Sequence, residues 1–222
     1  MANDSVGFRD FRALLNNIPK DIDHYLQMYS RNLGILCVPY EHSRILKSVR
    51  YYEEFGCPWA CDNNSFADFD GPAYLRMLDF AAKNRDGCMW INVPDKVGSH
   101  TETLESFGQW KKELQDRNLP MAFVLQDGVI EQDIPWSDIA AVFIGGTTEF
   151  KLSEQARTLA SRAKVLGKLV HMGRVNSAKR YKLAYEWGVD SVDGTGICRF
   201  TKIKLPFFMN TIDKLKQQGG LF

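Results

Sequence analysis

From residue 33 to residue 217 the chain repeats one pattern: a short apolar run ended by a polar residue, a proline or a glycine, then a stretch with helical spacing. The apolar runs fall at 33–38, 59–61, 88–93, 121–125, 139–144, 168–171 and 189–192. The helical stretches fall at 43–55, 72–83, 101–117, 153–166, 177–187 and 206–217. Runs apolar on both sides of the pleat, joined by helices, imply parallel strands buried on both faces. An open doubly wound sheet and a closed barrel both satisfy this. Polar residues at nearly every strand's C-terminal end favour a small, single-domain TIM-like (β/α) barrel, with a strand irregular or missing.

Composition bounds the rest. With 222 residues, 45% hydrophobic and 25% charged, the chain has material for one sizeable core. No run approaches the length of a membrane span, and residues 1–5 lack a basic-then-apolar leader, so a soluble cytoplasmic protein without a membrane partner is expected. Residues 1–30, with Ile18, Ile22, Tyr25, Leu26 and Tyr29 in helical register, read as a helical cap on one barrel end. The five cysteines read as reduced, mostly buried small hydrophobes. Cys57 and Cys61 have no second Cys/His pair near them to complete a zinc site, so no metal and no cofactor is expected.

The net charge of +1 hides an asymmetry: residues 1–150 sum to −8 and residues 151–222 to +9. The basic part holds Lys151, Arg174, Lys179, Arg180 and Arg199, and a one-sided basic region suits phosphate contact. A lysine-rich helix surface explains the same charge equally well.

In a βα barrel the strand ends converge. They supply Asp62, Asp95, Gln126, Gly145 with Gly146, His171 with Arg174, and Asp193. Carboxylates gathered in a partly dry pocket drive each other's pKa values apart, the pattern of one acid and one nucleophile in glycosidic chemistry. Each residue also has a plainer reading: Asp62 as a helix cap, Asp95, Gln126 and Asp193 as turn residues, the glycines as a strand exit, His171 as a core histidine.

From Trp59 to Phe200 this order resembles the tRNA-guanine transglycosylase superfamily, which includes enzymes that exchange or remove bases in DNA. Asp62-Asn63-Asn64-Ser65-Phe66 is similar to its Asp-Ser-Gly-Gly-Phe segment, Gly145-Gly146 to its Gly-Gly loop, and His171-Met172-Gly173 to its aliphatic-Met-Gly strand end. Residues 188–193 resemble its Gly-Val-Asp-x-x-Asp segment. The family's zinc-binding cysteines are absent.

The resemblance implies cleavage of an N-glycosidic bond to a modified base in DNA, with tRNA as the less favoured substrate. Asp193 would be the nucleophile or oxocarbenium stabiliser and Asp62 the acid/base. Asp95, Gln126, Gly145, Gly146 and Asn63 would bind the base. Lys151, Arg174, His171, Lys179, Arg180 and Arg199 would hold the nucleic acid, and the base would flip out, stacking on Trp59, Phe66 or Trp90. Hydrolysis, a DNA glycosylase, is slightly favoured over base exchange. Two rival classes remain. One is a barrel binding a small phosphorylated metabolite, cradled by Gly145-Gly146 and Gly173-Arg174. The other is a non-catalytic nucleic-acid-binding protein.

Overall fold

The structure, a computed structural model, describes residues 10–40, 42–66 and 69–219. The leader expectation at residues 1–5 and the first part of the expected cap lie outside the described residues. Eight parallel strands close into a barrel in sequence order. They are β1 (Arg12–Leu15), β2 (Leu33–Cys37), β3 (Trp59–Cys61), β4 (Cys88–Asn92), β5 (Met121–Leu125), β6 (Ala141–Ile144), β7 (Leu169–Met172) and β8 (Ser191–Asp193). The helices are α1 (Ile22–Tyr29), α2 (His42–Phe55), α3 (Gly71–Lys83), α4 (His100–Asp116), α5 (Thr148–Lys151), α6 (Glu154–Val165), α7 (Ala178–Glu186), α8 (Thr195–Arg199) and α9 (Thr201–Gly219).

The barrel expectation holds, with one correction. Residues 12–15, read as part of a helical cap, are a strand, and only 22–29 of that segment form an α-helix. β1 pairs with β2 on one side and with β8 on the other, Leu14 opposite Asp193, so these four residues close the ring. The expected irregularity sits between β3 and β4, where the register shifts between Trp59 and Cys61.

Two packing layers follow from the period-2 alternation of strand side chains. Leu14, Leu36, Ala60, Met89, Trp90, Ala122 and Ala141 fill the barrel, with Phe143 and Leu169 against them. Three alanines make room for one fully buried tryptophan, a large-against-small fit inside the barrel. The alternate positions, such as Leu15, Ile35, Ile91, Phe123, Val142, Val170 and Val192, face the helices. Cys37, Cys57, Cys61 and Cys198 are buried and Cys88 partly so, with no disulfide among the described residues. No helix among the described residues is long and apolar enough to cross a membrane.

Alternation also aims the site. Continuing each inward-facing row by two or four residues past the core reaches the strand's C-terminal end: Leu14 leads to Asn16, Ala60 to Asp62, Trp90 to Asn92, and Ala122 to Gln126. On the other side Ala141 leads to Gly145, Leu169 to Gly173, and Ser191 to Asp193.

Candidate active site

Those ends meet in a cavity of about 320 Å³ lined by Asp62, Asn92, Asp95, Gln126, Lys151 and Asp193 among others, with Phe66 and Arg174 also in its wall. A larger hollow of about 850 Å³ opens at the other end of the barrel, around Arg85, Gly87 and Asn118. The residues expected at the strand ends converge in the smaller one, on the face where βα barrels carry their chemistry.

Asp62 follows β3 directly. Its Oδ1 accepts hydrogen bonds from the Asn63 backbone N–H at 2.9 Å and from Asn92 Nδ2 at 3.0 Å. Burial is the largest influence and pushes its pKa up to about 6. The charges of Asp193 and Asp95 add to the rise, and the Asn92 hydrogen bond works against it. Asp62 does not cap a helix: α3 is capped by Asp70, whose side chain accepts from the Ala73 N–H at 2.8 Å.

Asp193 ends β8. Burial works to raise its pKa too, but His171, the Arg174 N–H and Lys151 together outweigh it and hold the carboxyl below its ordinary value. Oδ1 accepts from the Arg174 N–H at 2.5 Å and lies 3.7 Å from His171 Nε2, an ion-pair distance rather than a hydrogen bond. His171 is fixed from below, its Nδ1 2.8 Å from Ser191 Oγ and its ring against Phe143 and Trp90. It has no exposed surface, so it orients Asp193 and cannot meet a nucleic-acid phosphate as expected.

Asp95 is the centre of an amide clamp. Asn63 Nδ2 donates to it at 2.7 Å and Gln126 Nε2 at 2.6 Å. The amide oxygens are engaged as well: Asn63 Oδ1 accepts from the Ser65 N–H at 2.8 Å and Gln126 Oε1 from the Gly98 N–H at 2.9 Å. Burial raises the Asp95 pKa despite these bonds. Asn63 and Gln126 therefore hold Asp95 in place: both Asn63 Nδ2 hydrogens are engaged, by Asp95 and the Val93 carbonyl, whereas Gln126 Nε2 gives one of its two to Asp95.

Gly145 is sterically required. A Cβ there would stand 2.8 Å from Val124 Cγ1 and 3.0 Å from Gln126 Nε2. Gly146, with φ +68°, turns the chain out of β6, and its carbonyl accepts from Arg174 Nη2 at 3.0 Å. The Arg174 guanidinium also lies 4.7 Å from the centre of the Phe66 ring, a cation–π contact at the cavity wall. Lys151, on α5, is buried and also lines the cavity. Burial and the charges of Arg174 and Arg180 lower its pKa to about 8, against the pull of Asp193 and Asp127. Lys179 and Arg199 are exposed on the outer helices and Arg180 half-buried beside Arg174, none of them in the cavity wall. Of the stacking candidates, Trp59 and Trp90 are fully buried, and only Phe66 is exposed.

Four contributors escaped the sequence reading: Asn16, Asn92, Asn176 and Asp127. Asn16 and Asn92 are the next inward positions beyond Leu14 and Trp90, so the period-2 row was the signal for both. Asn176 Oδ1 takes the Gly196 N–H at 2.9 Å and so occupies the start of α8. Asp127 accepts from the Thr147 N–H at 2.8 Å and from its hydroxyl at 2.6 Å, fastening the loop that carries Lys151. Among the described residues no three His, Cys, Asp or Glu side chains gather as metal ligands.

No protein-family model and no curated protein sequence matches the chain. Its fold is shared with ligand-free tryptophan synthase from M. tuberculosis at 15% identity, over 94% of this chain and 92% of that one, with a TM-score of 0.55. The aminoacrylate-bound form of the same enzyme gives 14%, 93%, 90% and 0.55. A mutant tryptophan synthase alpha-subunit from Pyrococcus furiosus gives 14%, 95%, 98% and 0.56. At such identities the likeness establishes the barrel. These neighbours belong to a family other than the transglycosylases, which corrects the resemblance inferred from strand-end motifs and, with it, the readings of a DNA glycosylase, DNA binding and base flipping. Short Gly-Gly and Asp-rich strand ends recur because barrel geometry calls for them, so their order over-reported kinship.

Proposed function

We propose that the chain is an acid–base enzyme acting on a small phosphorylated metabolite, with Asp62 moving the proton, Asp193 as a fixed carboxylate and Arg174 binding the phosphate. The observation that carries this reading is the divergence of two carboxylates in one small cavity: Asp62 is driven up to about 6 while Asp193 is held low. Pairs whose surroundings separate their pKa values divide into a proton carrier and a permanent charge. At neutral pH Asp62 takes up a proton at little cost and returns it readily. Asp193, kept anionic by His171 and the Arg174 N–H, orients a substrate hydroxyl or steadies positive charge developing beside it.

The cavity is near the lower end of the ~300–1,000 Å³ range of small-molecule sites, which matches a metabolite of a few carbons. Lys151 and Arg174 are the cations in its wall, and in barrels of this type phosphates are commonly held by the loops after strands 7 and 8. Arg174 begins the first of those loops. The start of α8, in the second, is already taken by Asn176, which leaves the guanidinium as the main phosphate contact. Gly145 and Gly173 also line the cavity, and a Cβ on Gly173 would stand 2.8 Å from Phe143 Cε1. The similar barrels carry the name of an enzyme, tryptophan synthase, which supports a catalytic role for this architecture.

Titration of glycerol 3-phosphate into the ¹⁵N-labelled protein tests the reading. The Gly145, Gly173 and Arg174 amides should shift saturably, and Arg174→Ala should weaken binding about ten-fold or more, because a charge-assisted bond is worth about 1.5–3 kcal/mol. Shifts confined to the outer basic helices, or none with any sugar or polyol phosphate, would refute it.

A further inference from the structure

Lys151 has more in its favour than a role as a second phosphate cation. Its side chain is buried at 4% exposure and lines the same cavity as Asp62 and Asp193. Among the described residues its amine has no hydrogen bond and no ion pair. Lys164, by contrast, is tied to Asp190 at 2.5 Å, Lys111 to Asp138 at 3.4 Å and Lys112 to Asp116 at 2.5 Å. Asp127, whose charge also acts on Lys151, is turned onto Thr147. The clip that occupies Asp127 also fixes the first turn of α5, at whose end Lys151 sits.

We infer that Lys151 is a nucleophile that forms an imine with the carbonyl carbon of a small phosphorylated aldehyde or ketone. This rests on the small-metabolite reading above and narrows its substrate class to carbonyl compounds. A lysine desolvated in a pocket beside another cation is the arrangement that frees an amine for this chemistry near neutral pH, and Lys151 has both burial and the neighbouring Arg174 and Arg180 charges. The amine nitrogen attacks the carbonyl carbon and the C=O π pair moves to oxygen. One N–H proton passes to that oxygen, giving a carbinolamine. Protonated Asp62 then delivers its proton to the hydroxyl, which leaves as water while the nitrogen lone pair closes the C=N bond. The product is a protonated imine with Asp62 ionised and ready to take a proton from the adjacent carbon. Asp193 faces the cation that results.

Borohydride trapping reads the step directly. The full-length protein is incubated with dihydroxyacetone phosphate, with glyceraldehyde and with glycerol 3-phosphate, reduced with sodium borohydride, and mapped by peptide mass spectrometry. A single reduced adduct on Lys151, formed with the two carbonyl compounds and not with glycerol 3-phosphate, is expected. The adduct should be lost in Lys151→Arg, a variant that keeps the charge and removes the primary amine. Mapping of the unaltered protein needs no variant to fold. Glycerol 3-phosphate binding without any adduct on Lys151 above that on exposed lysines overturns the imine and leaves the metabolite reading standing. A Lys151 adduct with glyceraldehyde and no binding of either phosphate supports the imine and overturns the phosphate reading. Neither adduct nor binding overturns both.

Discussion

At the residue scale the cavity keeps one carboxylate at odds with folding. Asp62 has its pKa raised above the ordinary carboxyl value of about 3.9, so the folded protein holds that proton more tightly than the unfolded chain does. Stability from this group is intact below about pH 4 and falls as pH rises towards 6, after which the full cost of an ionised, half-buried carboxylate remains. Two pKa units correspond to roughly 2–3 kcal/mol. Asp62→Asn keeps an oxygen for both the Asn63 N–H and Asn92 Nδ2 and removes the charge. The variant should therefore be more stable than the parent at pH 8 by about 1–2 kcal/mol and indistinguishable at pH 4, as read by urea unfolding. Greater stability of the parent at pH 8 would mean that its carboxylate is not penalised by burial. The sequence exposed the carboxylates and suggested that their pKa values diverge, but not the groups that displace each one. These are Asn92, His171 and Lys151, arriving from β4, β7 and α5, a convergence invisible along the chain.

At the element scale the sequence was most legible where a strand is both short and wholly apolar. β3 and β5 begin and end where the apolar runs do, and the amphipathic spacing placed α2, α3, α4, α6 and α7 to within about two residues. It failed where an element is too short to show its period. Arg12–Leu15 begins with a charged residue and is followed by two asparagines, so β1 reads as loop or helix until β2 and β8 are there to pair with it. α5 and α8, of four and five residues, have the same problem. Pro206 misled in the other direction: it suits a first turn, but α9 starts at Thr201 and carries the proline inside. Caps are local enough to test singly. Asp70 holds the first turn of α3, and Asp70→Ala should cost about 1 kcal/mol of stability, measured as a lowered urea midpoint at unchanged slope. A change in slope would instead indicate that the variant alters the exposed surface of one of the two states.

At the scale of the whole molecule, closure of the ring and the site are one problem. Leu14 lies inside the barrel at 1% exposure on the strand that pairs with β8, opposite Asp193 in register. Leu14→Ala should cost about 2–5 kcal/mol in global stability, the usual range for a leucine lost from a packed interior, with a matching drop in the unfolding midpoint. A loss below 1 kcal/mol would mean that the interior collapses around the gap. The charge asymmetry of the chain, legible in sequence, divides by function in space: Lys151 and Arg174 face the cavity, whereas Lys179, Lys182, Arg199, Lys202 and Lys204 lie on outer helices. Barrel geometry brings the former to the carboxylates, and no local pattern distinguishes them from the latter. The account as a whole rests on the separated carboxylates, which can be read one by one. In a ¹³C-carboxyl NMR titration the Asp62 resonance should turn over near pH 6 and that of Asp193 below the ordinary carboxyl range. Both groups titrating together near pH 4 would contradict the proposed acid–base pair.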